Sequence, residues 1–311
     1  MCKFALLICC LLAVAVPAQD GTAKAKAEAI LAEARAMIGS EAARASLRSL
    51  AVAGTLRHMD GEHKTESPLK YDVLFPDKFR QQDTQDRFHT IFTVDGDTVQ
   101  LRQSPVSSID PGHRAEMQLR ESRDPWIRTR VLALQRDDFT RLTLCWTLTA
   151  PATTPLEYHH LGVAKGQNRT ADIIEARGQN GFITRLVIDQ QTHQLVALVW
   201  RGKRLADVLR IMEEGGAEPA RPAGQVAATS APANARQTKD EKRRGDFEAA
   251  EAKAPEVRFR WILSEHKNVE GLSLPHRIVR AEDGVMKEEW EIGSLLVNPK
   301  LDPAIFDARK K

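Results

Sequence analysis

The stretch Asn180-Gly-Phe-Ile-Thr-Arg-Leu-Val-Ile-Asp189 settles the architecture. Phe182, Thr184, Leu186 and Ile188 fall on one parity, the period-2 alternation of a half-buried strand. Asn180-Gly181 at its start tolerates the positive φ angles of a tight hairpin turn. The same device recurs at Asp60-Gly61, Asp95-Gly96 and Asp283-Gly284, each between alternating runs. Repeated hairpins along 311 residues predict one large antiparallel sheet. An apolar sheet face needs cover, so the functional question becomes what covers it.

Upstream, Val52, Gly54 and Leu56 share a face, as do Leu69, Tyr71, Val73 and Phe75 until Pro76-Asp77 ends the run. Residues 78–84, 88–94 and 98–103 read as three more strands. Strands resume near Leu156. Val196, Leu198 and Trp200 share a parity, then Val257, Phe259, Trp261 and Leu263, and last Trp290, Ile292 and Leu296.

Helical periodicity appears twice. Ala27, Ile30, Leu31, Ala34, Met37 and Ile38 recur at three- and four-residue spacing, with Thr22 placed to cap the helix and Gly39 to end it. Ser40 opens a short second helix through Leu47. From about His113 to Leu148 the pattern is helical again, with Asp124-Pro125 as cap and first-turn proline. Residues 215–255 are rich in small, polar and then charged residues, with Phe247 almost alone as a large apolar group. That composition predicts a disordered excursion, transiently helical over 238–253, inside a single domain spanning 19–311.

Lys3 precedes 13 apolar residues, Phe4 to Val16, fewer than the roughly 20 that cross a bilayer. With Val16-Pro17-Ala18 at the cleavage positions, residues 1–18 read as a secretory signal peptide and Gln19 as the mature start. The mature chain is then expected in the periplasm, soluble. Cleavage leaves Cys145 as the sole cysteine, which excludes an intramolecular disulfide. Flanked by Leu144 and Trp146, Cys145 reads as a small buried apolar residue. The net charge of +3, with both signs interspersed, carries no nucleic-acid signature.

Catalytic signals are weak. His159 and His160 are adjacent on an expected strand and point to opposite faces. His58 and His63 flank a turn without a third ligand at metal spacing. No nucleophile elbow, zinc helix or phosphate-binding loop is present in the sequence. The sequence therefore predicts a non-enzyme without cofactor or metal.

Five segments carry a family resemblance: Ala29-Ile-Leu-Ala-Glu-Ala-Arg-Ala-Met-Ile-Gly39, Leu74-Phe-Pro-Asp-Lys-Phe79, Gly181 to Asp189, Val269-Glu-Gly-Leu-Ser-Leu-Pro-His276, and Glu289-Trp-Glu-Ile292 leading to Asn298-Pro-Lys-Leu-Asp-Pro303. In these the chain resembles the LolA/LolB-like lipoprotein carrier superfamily, in particular bacterial secreted proteins of the outer-membrane lipoprotein-sorting type. The resemblance implies an unclosed β-barrel covered by helices over an apolar cavity. It further implies binding of a lipid or an acylated lipoprotein without covalent chemistry, and membrane-associated donor and acceptor proteins as partners. It transfers no individual residue role.

On that plan the Asp124 to Leu148 region is the expected lid. Tyr71, Val73, Trp126, Phe139, Leu198, Trp200, Phe259, Trp261 and Trp290 are the positions expected to line the cavity. The same residues would serve as ordinary core in any sheet packed under helices. The alternative function is a protein-binding or sensory module, comparable to RseB-like regulators of envelope stress, with 215–255 as its docking segment.

Overall fold

The alternating runs form twelve strands of one antiparallel sheet in the computed structural model, which describes residues 20–61, 63–85, 88–96, 98–105, 125–166, 169–215 and 233–307. The first five are β1 (Ser49–Asp60), β2 (His63–Leu74), β3 (Lys78–Gln85), β4 (Phe88–Asp95) and β5 (Thr98–Pro105). The other seven are β6 (Leu156–Lys165), β7 (Thr170–Gly178), β8 (Ile183–Asp189), β9 (Leu195–Gly202), β10 (Val257–Val269), β11 (Leu272–Glu282) and β12 (Val285–Val297). Each group is a meander of neighbours, and the two join where β1 pairs with β12. β5 and β6 are therefore the two edges of a sheet that does not close.

This order has a consequence for the helices. The chain must travel from one edge to the other between β5 and β6, and helix α3 (Pro125–Thr147) lies in that connection. It crosses the inner face, touching β2, β3, β9 and β11. Helix α1 (Asp20–Ile38) buries Ala27, Ile30, Leu31 and Ala34 in the same core, and α2 (Glu41–Ser46) is capped by Ser40, whose Oγ accepts from the Ala43 amide at 3.2 Å. Arg35 of α1 donates to the Leu148 carbonyl at 3.1 Å and holds the end of α3.

Three expectations need correction. All four Asp-Gly or Asn-Gly sites connect neighbouring strands, but only Asp283-Gly284 supplies both central residues of a two-residue turn, with φ of 46° and 88°. At the first two sites the Asp ends its strand and glycine takes the first turn position, with φ of 61° at Gly61 and 58° at Gly96. Leu296 does not share a face with Trp290 and Ile292. The pairing of β12 with β1 skips Gly293, a β-bulge that reverses parity, so Leu295 turns inward and Leu296 is 54% exposed.

The third correction concerns 215–255. Helix α4 (Leu205–Glu214) and helix α5 (Ala233–Lys253) pack together, burying Val208 and Met212 against Phe247, Ala250 and Ala254 in a small second core. Residues 233–253 are helical because Phe247 and Ala250, one turn apart, find apolar partners supplied by α4. Residues 216–232 lie outside the described residues, as do 1–19, where the signal peptide was expected, and 106–124, which hold the first part of the helical stretch expected from about His113 and the first residue of the expected lid.

Candidate functional site: a helix in the hollow

The inner face of the sheet carries a row of rings running from strand to strand. Phe79 stacks on Tyr71 at 5.4 Å, Tyr71 meets Trp290 at 5.3 Å, Trp290 meets Trp261 at 5.6 Å, and Trp261 meets Trp200 at 5.5 Å. Phe259 then stacks on Trp200 at 5.4 Å. The Tyr71–Trp290 contact spans β1, which lies between β2 and β12 and offers no side chain at Gly54. A Cβ at Gly54 would stand 2.0 Å from the Glu291 carbonyl oxygen, so the bulged backbone here requires glycine.

Of the nine positions expected to line a cavity, Tyr71, Val73, Phe139, Leu198, Trp200, Trp261 and Trp290 are buried in this one cluster, and Phe259 packs on its margin. Trp126 lies in the first turn of α3, with its side chain outside the described residues. Eight of the nine positions therefore belong to or border one packed cluster. What occupies the space between them is α3. Every residue from Phe139 to Leu148 is buried, with Phe139 stacked 4.9 Å from Phe79 and Trp146 edge-on to Tyr71 at 6.2 Å.

Two cavities differ in place and character. A solvent-open cleft of about 430 Å³ is polar, formed by turn residues including Lys165, Arg169, Asp189 and Gln190. A space of about 30 Å³ beside Phe259, Trp261 and Arg280 has room for a water molecule or two and is too small for a long alkyl chain.

The filling is mixed in polarity. Thr140, Thr143 and Thr147 are buried and donate back to carbonyls of α3 itself, at 3.0, 2.8 and 2.7 Å. Arg141 is 5% exposed, its guanidinium 4.1 Å from the centre of the Trp200 ring and 5.0 Å from that of Phe182. Burial lowers its pKa, and Asp138 at 3.0 Å and Asp137 at 3.9 Å offset this only in part. Arg141 Nε and Trp146 Nε1 are buried donors without an acceptor among the described residues.

A second guanidinium belongs to the sheet. Arg280 of β11 lies over Trp261 and Trp290, at 5.1 and 5.6 Å from their ring centres. It donates to Glu288 at 2.8 Å and to Asp138 of α3 at 3.4 Å, while the Trp290 indole donates to Glu288 at 3.3 Å. Burial opposes the Arg280 charge, yet Glu288 and Asp138 outweigh it and raise the pKa above the ordinary value. Asp138 thus ties the helix to the floor.

The two adjacent histidines lie away from this cluster. His160 pairs with Asp172 at 2.8 Å and His159 with Glu157 at 3.7 Å, so the adjacent histidines serve different carboxylates. Among the described residues no group of three His, Cys, Asp or Glu is placed to hold a metal. No helix among them is long and apolar enough to cross a membrane.

The protein is thus an unclosed antiparallel half-barrel with helices in its hollow, the fold class expected from the sequence. No family model and no curated protein matches the chain. Among solved structures it is similar to an outer membrane lipoprotein-sorting protein domain from Vibrio parahaemolyticus, with TM-score 0.46 and 8% identity over 90% of this chain and 97% of that one. It is also similar to a LolA superfamily protein from Nitrosomonas europaea, with TM-score 0.43 and 9% identity over 90% of this chain and 96% of that one.

Proposed function

We propose that the chain is a periplasmic carrier of lipids or acylated lipoproteins, in which α3 is a displaceable plug and the ligand's acyl chain takes its place. The observation that carries this reading is the composition of the filling. A permanent core helix would be apolar and fully satisfied, whereas α3 buries a charged Arg141 and two donors without acceptors. Each unsatisfied donor costs about 1–3 kcal/mol in the closed state.

Magnitudes favour an exchange. Phe139, Leu142, Leu144 and Trp146 together gain on the order of 10 kcal/mol by burial. A long alkyl chain gains a similar gross amount at about 0.8 kcal/mol per methylene. Neither occupant wins by far, which a carrier that must both load and release requires. Membrane-associated donor and acceptor proteins belong to this reading as partners, and no step forms or breaks a covalent bond.

The test is organic extraction of purified protein with mass spectrometry, followed by displacement of a fluorescent fatty acid. Co-purified lipid and saturable displacement support the carrier. No extracted lipid and no fatty-acid binding contradict it. The α4–α5 pair, with a core of its own, favours a second reading as a protein-binding module. Under that reading, deleting the pair abolishes partner capture and spares fatty-acid binding.

A further inference from the structure

We infer that the hollow selects an amphiphile with an anionic head, and that Asp138 is the chain's own stand-in for that head. The inference rests on the carrier reading. Arg280 is held from the sheet side, with Nη1 donating to Glu288 at 2.8 Å and the guanidinium lying over Trp261 and Trp290. Its other arm, Nη2, reaches away from the sheet to the Asp138 carboxylate at 3.4 Å. Close to Asp138 on the same helix come Phe139, Leu142 and Trp146, all buried against the sheet. Beside Arg280 α3 therefore presents the Asp138 carboxylate with Phe139, Leu142 and Trp146 following it, while Arg141 lies apart over Trp200. A single-chain amphiphile with a carboxylate or phosphate head has the same two parts in the same order.

When α3 leaves, Asp138 and Arg141 leave with it. Arg280 keeps its bond to Glu288 and is left with one unused arm on an aromatic floor. An anionic oxygen completes that arm with a charge-assisted hydrogen bond. A head without that charge gives the guanidinium a weaker bond, and such mismatches are how fixed polar groups discriminate between ligands.

The test compares palmitate, hexadecyl phosphate and hexadecanol, matched in chain length, by displacement of a fluorescent fatty acid from the purified protein. At least one anionic ligand is expected to bind about tenfold more tightly than hexadecanol or better, equivalent to about 1.4 kcal/mol. The phosphate and carboxylate arms show which head is preferred. Arg280→Met is expected to bring the ratio to about one while hexadecanol still binds, and Arg280→Lys to restore part of it. Asp138→Asn is expected to tighten all three ligands by a similar factor and leave the ratio unchanged, because it acts on the plug alone. A thermal melt of each variant establishes that it is folded. Equal affinities in the parent protein, or a preference that survives Arg280→Met, overturn the inference and leave the carrier reading standing. If none of the three binds even to Asp138→Asn, the carrier reading fails and this inference fails with it.

Discussion

Asp138 on α3 and Arg280 on β11 stand 3.4 Å apart, although 142 positions separate them in the chain. This pair is the charged tie between the plug and the floor of the half-barrel. Each member also has a partner of its own, Arg141 for Asp138 and Glu288 for Arg280. Neither is abandoned when the helix moves.

That arrangement predicts unequal costs. Asp138→Asn leaves Arg280 paired with Glu288 and is expected to cost about 1 kcal/mol of stability. Arg280→Met leaves Glu288 and Asp138 facing each other and is expected to cost about 2–3 kcal/mol. Urea unfolding of both single variants and the double variant checks this, with a coupling of about 1 kcal/mol expected from the cycle.

Trp146 is fully buried with its indole donor unmet. Trp146→Phe removes the unmet donor along with some volume, so the two effects oppose and the net change is expected to stay within about 1 kcal/mol. Trp146→Ala is expected to cost about 3–5 kcal/mol and to open a dry cavity. Engineered apolar cavities of about 150 Å³ bind benzene, so added benzene or indole is expected to raise the melting temperature of Trp146→Ala and leave that of the parent unchanged.

Two glycines separate crowding from backbone strain. Gly284→Ala meets no neighbour but carries a φ of 88°, and the left-handed conformation alone is expected to cost about 1–2 kcal/mol. At Gly54 a methyl group would press on the Glu291 backbone carbonyl, which cannot swing aside. Gly54→Ala is expected to cost about 3 kcal/mol or more and to break the Tyr71–Trp290 contact, visible as a change in near-ultraviolet circular dichroism.

Asp83 supplies a pH signature. It is buried, and burial raises its pKa despite the hydrogen bond from Ser67 at 3.0 Å. The folded chain therefore holds the proton more tightly than the unfolded chain does. As pH climbs from the ordinary carboxylate range through the raised value, this group subtracts stability, and it contributes no further change above that value. Asp83→Asn is expected to gain on the parent across that window and hold a constant advantage at higher pH. A series of urea midpoints from acid to alkaline pH shows whether it does.

Much of this was legible in the residues. Strands announce themselves through a two-residue period that local chemistry alone sets, so Phe182 to Ile188 and Leu69 to Val73 stand where the alternation puts them. Leu296 is misplaced because the reversal comes from Gly293, whose bulge depends on the register of β1 and not on its own neighbours. The α4–α5 core escapes because Val208 and Met212 lie more than thirty positions from Phe247, and each set alone is too sparse to predict burial. The fullest surprise is α3. A helix expected as a lid lies inside the hollow instead, and the one hint is that Phe139 to Leu148 interleaves Leu, Trp and Cys with Thr140, Thr143 and Thr147, three hydroxyls on one stripe of the helix. Asp138 meeting Arg280 has no sequence signal, since an ion pair between distant strands and helices leaves no periodicity.

Cys145 offers the most direct test of whether α3 leaves the hollow. It lies on the buried half of that helix, 4% exposed, with its thiol pKa pushed up by burial. In a chain beginning at Gln19 it is the sole cysteine, so the rate of labelling by a thiol reagent reports on α3 alone. The account predicts slow labelling in the free protein and an increase of at least about tenfold when palmitate or hexadecyl phosphate is bound. Labelling that stays equally slow while the ligand is demonstrably bound would contradict it, because the chain would then carry its cargo without moving the plug.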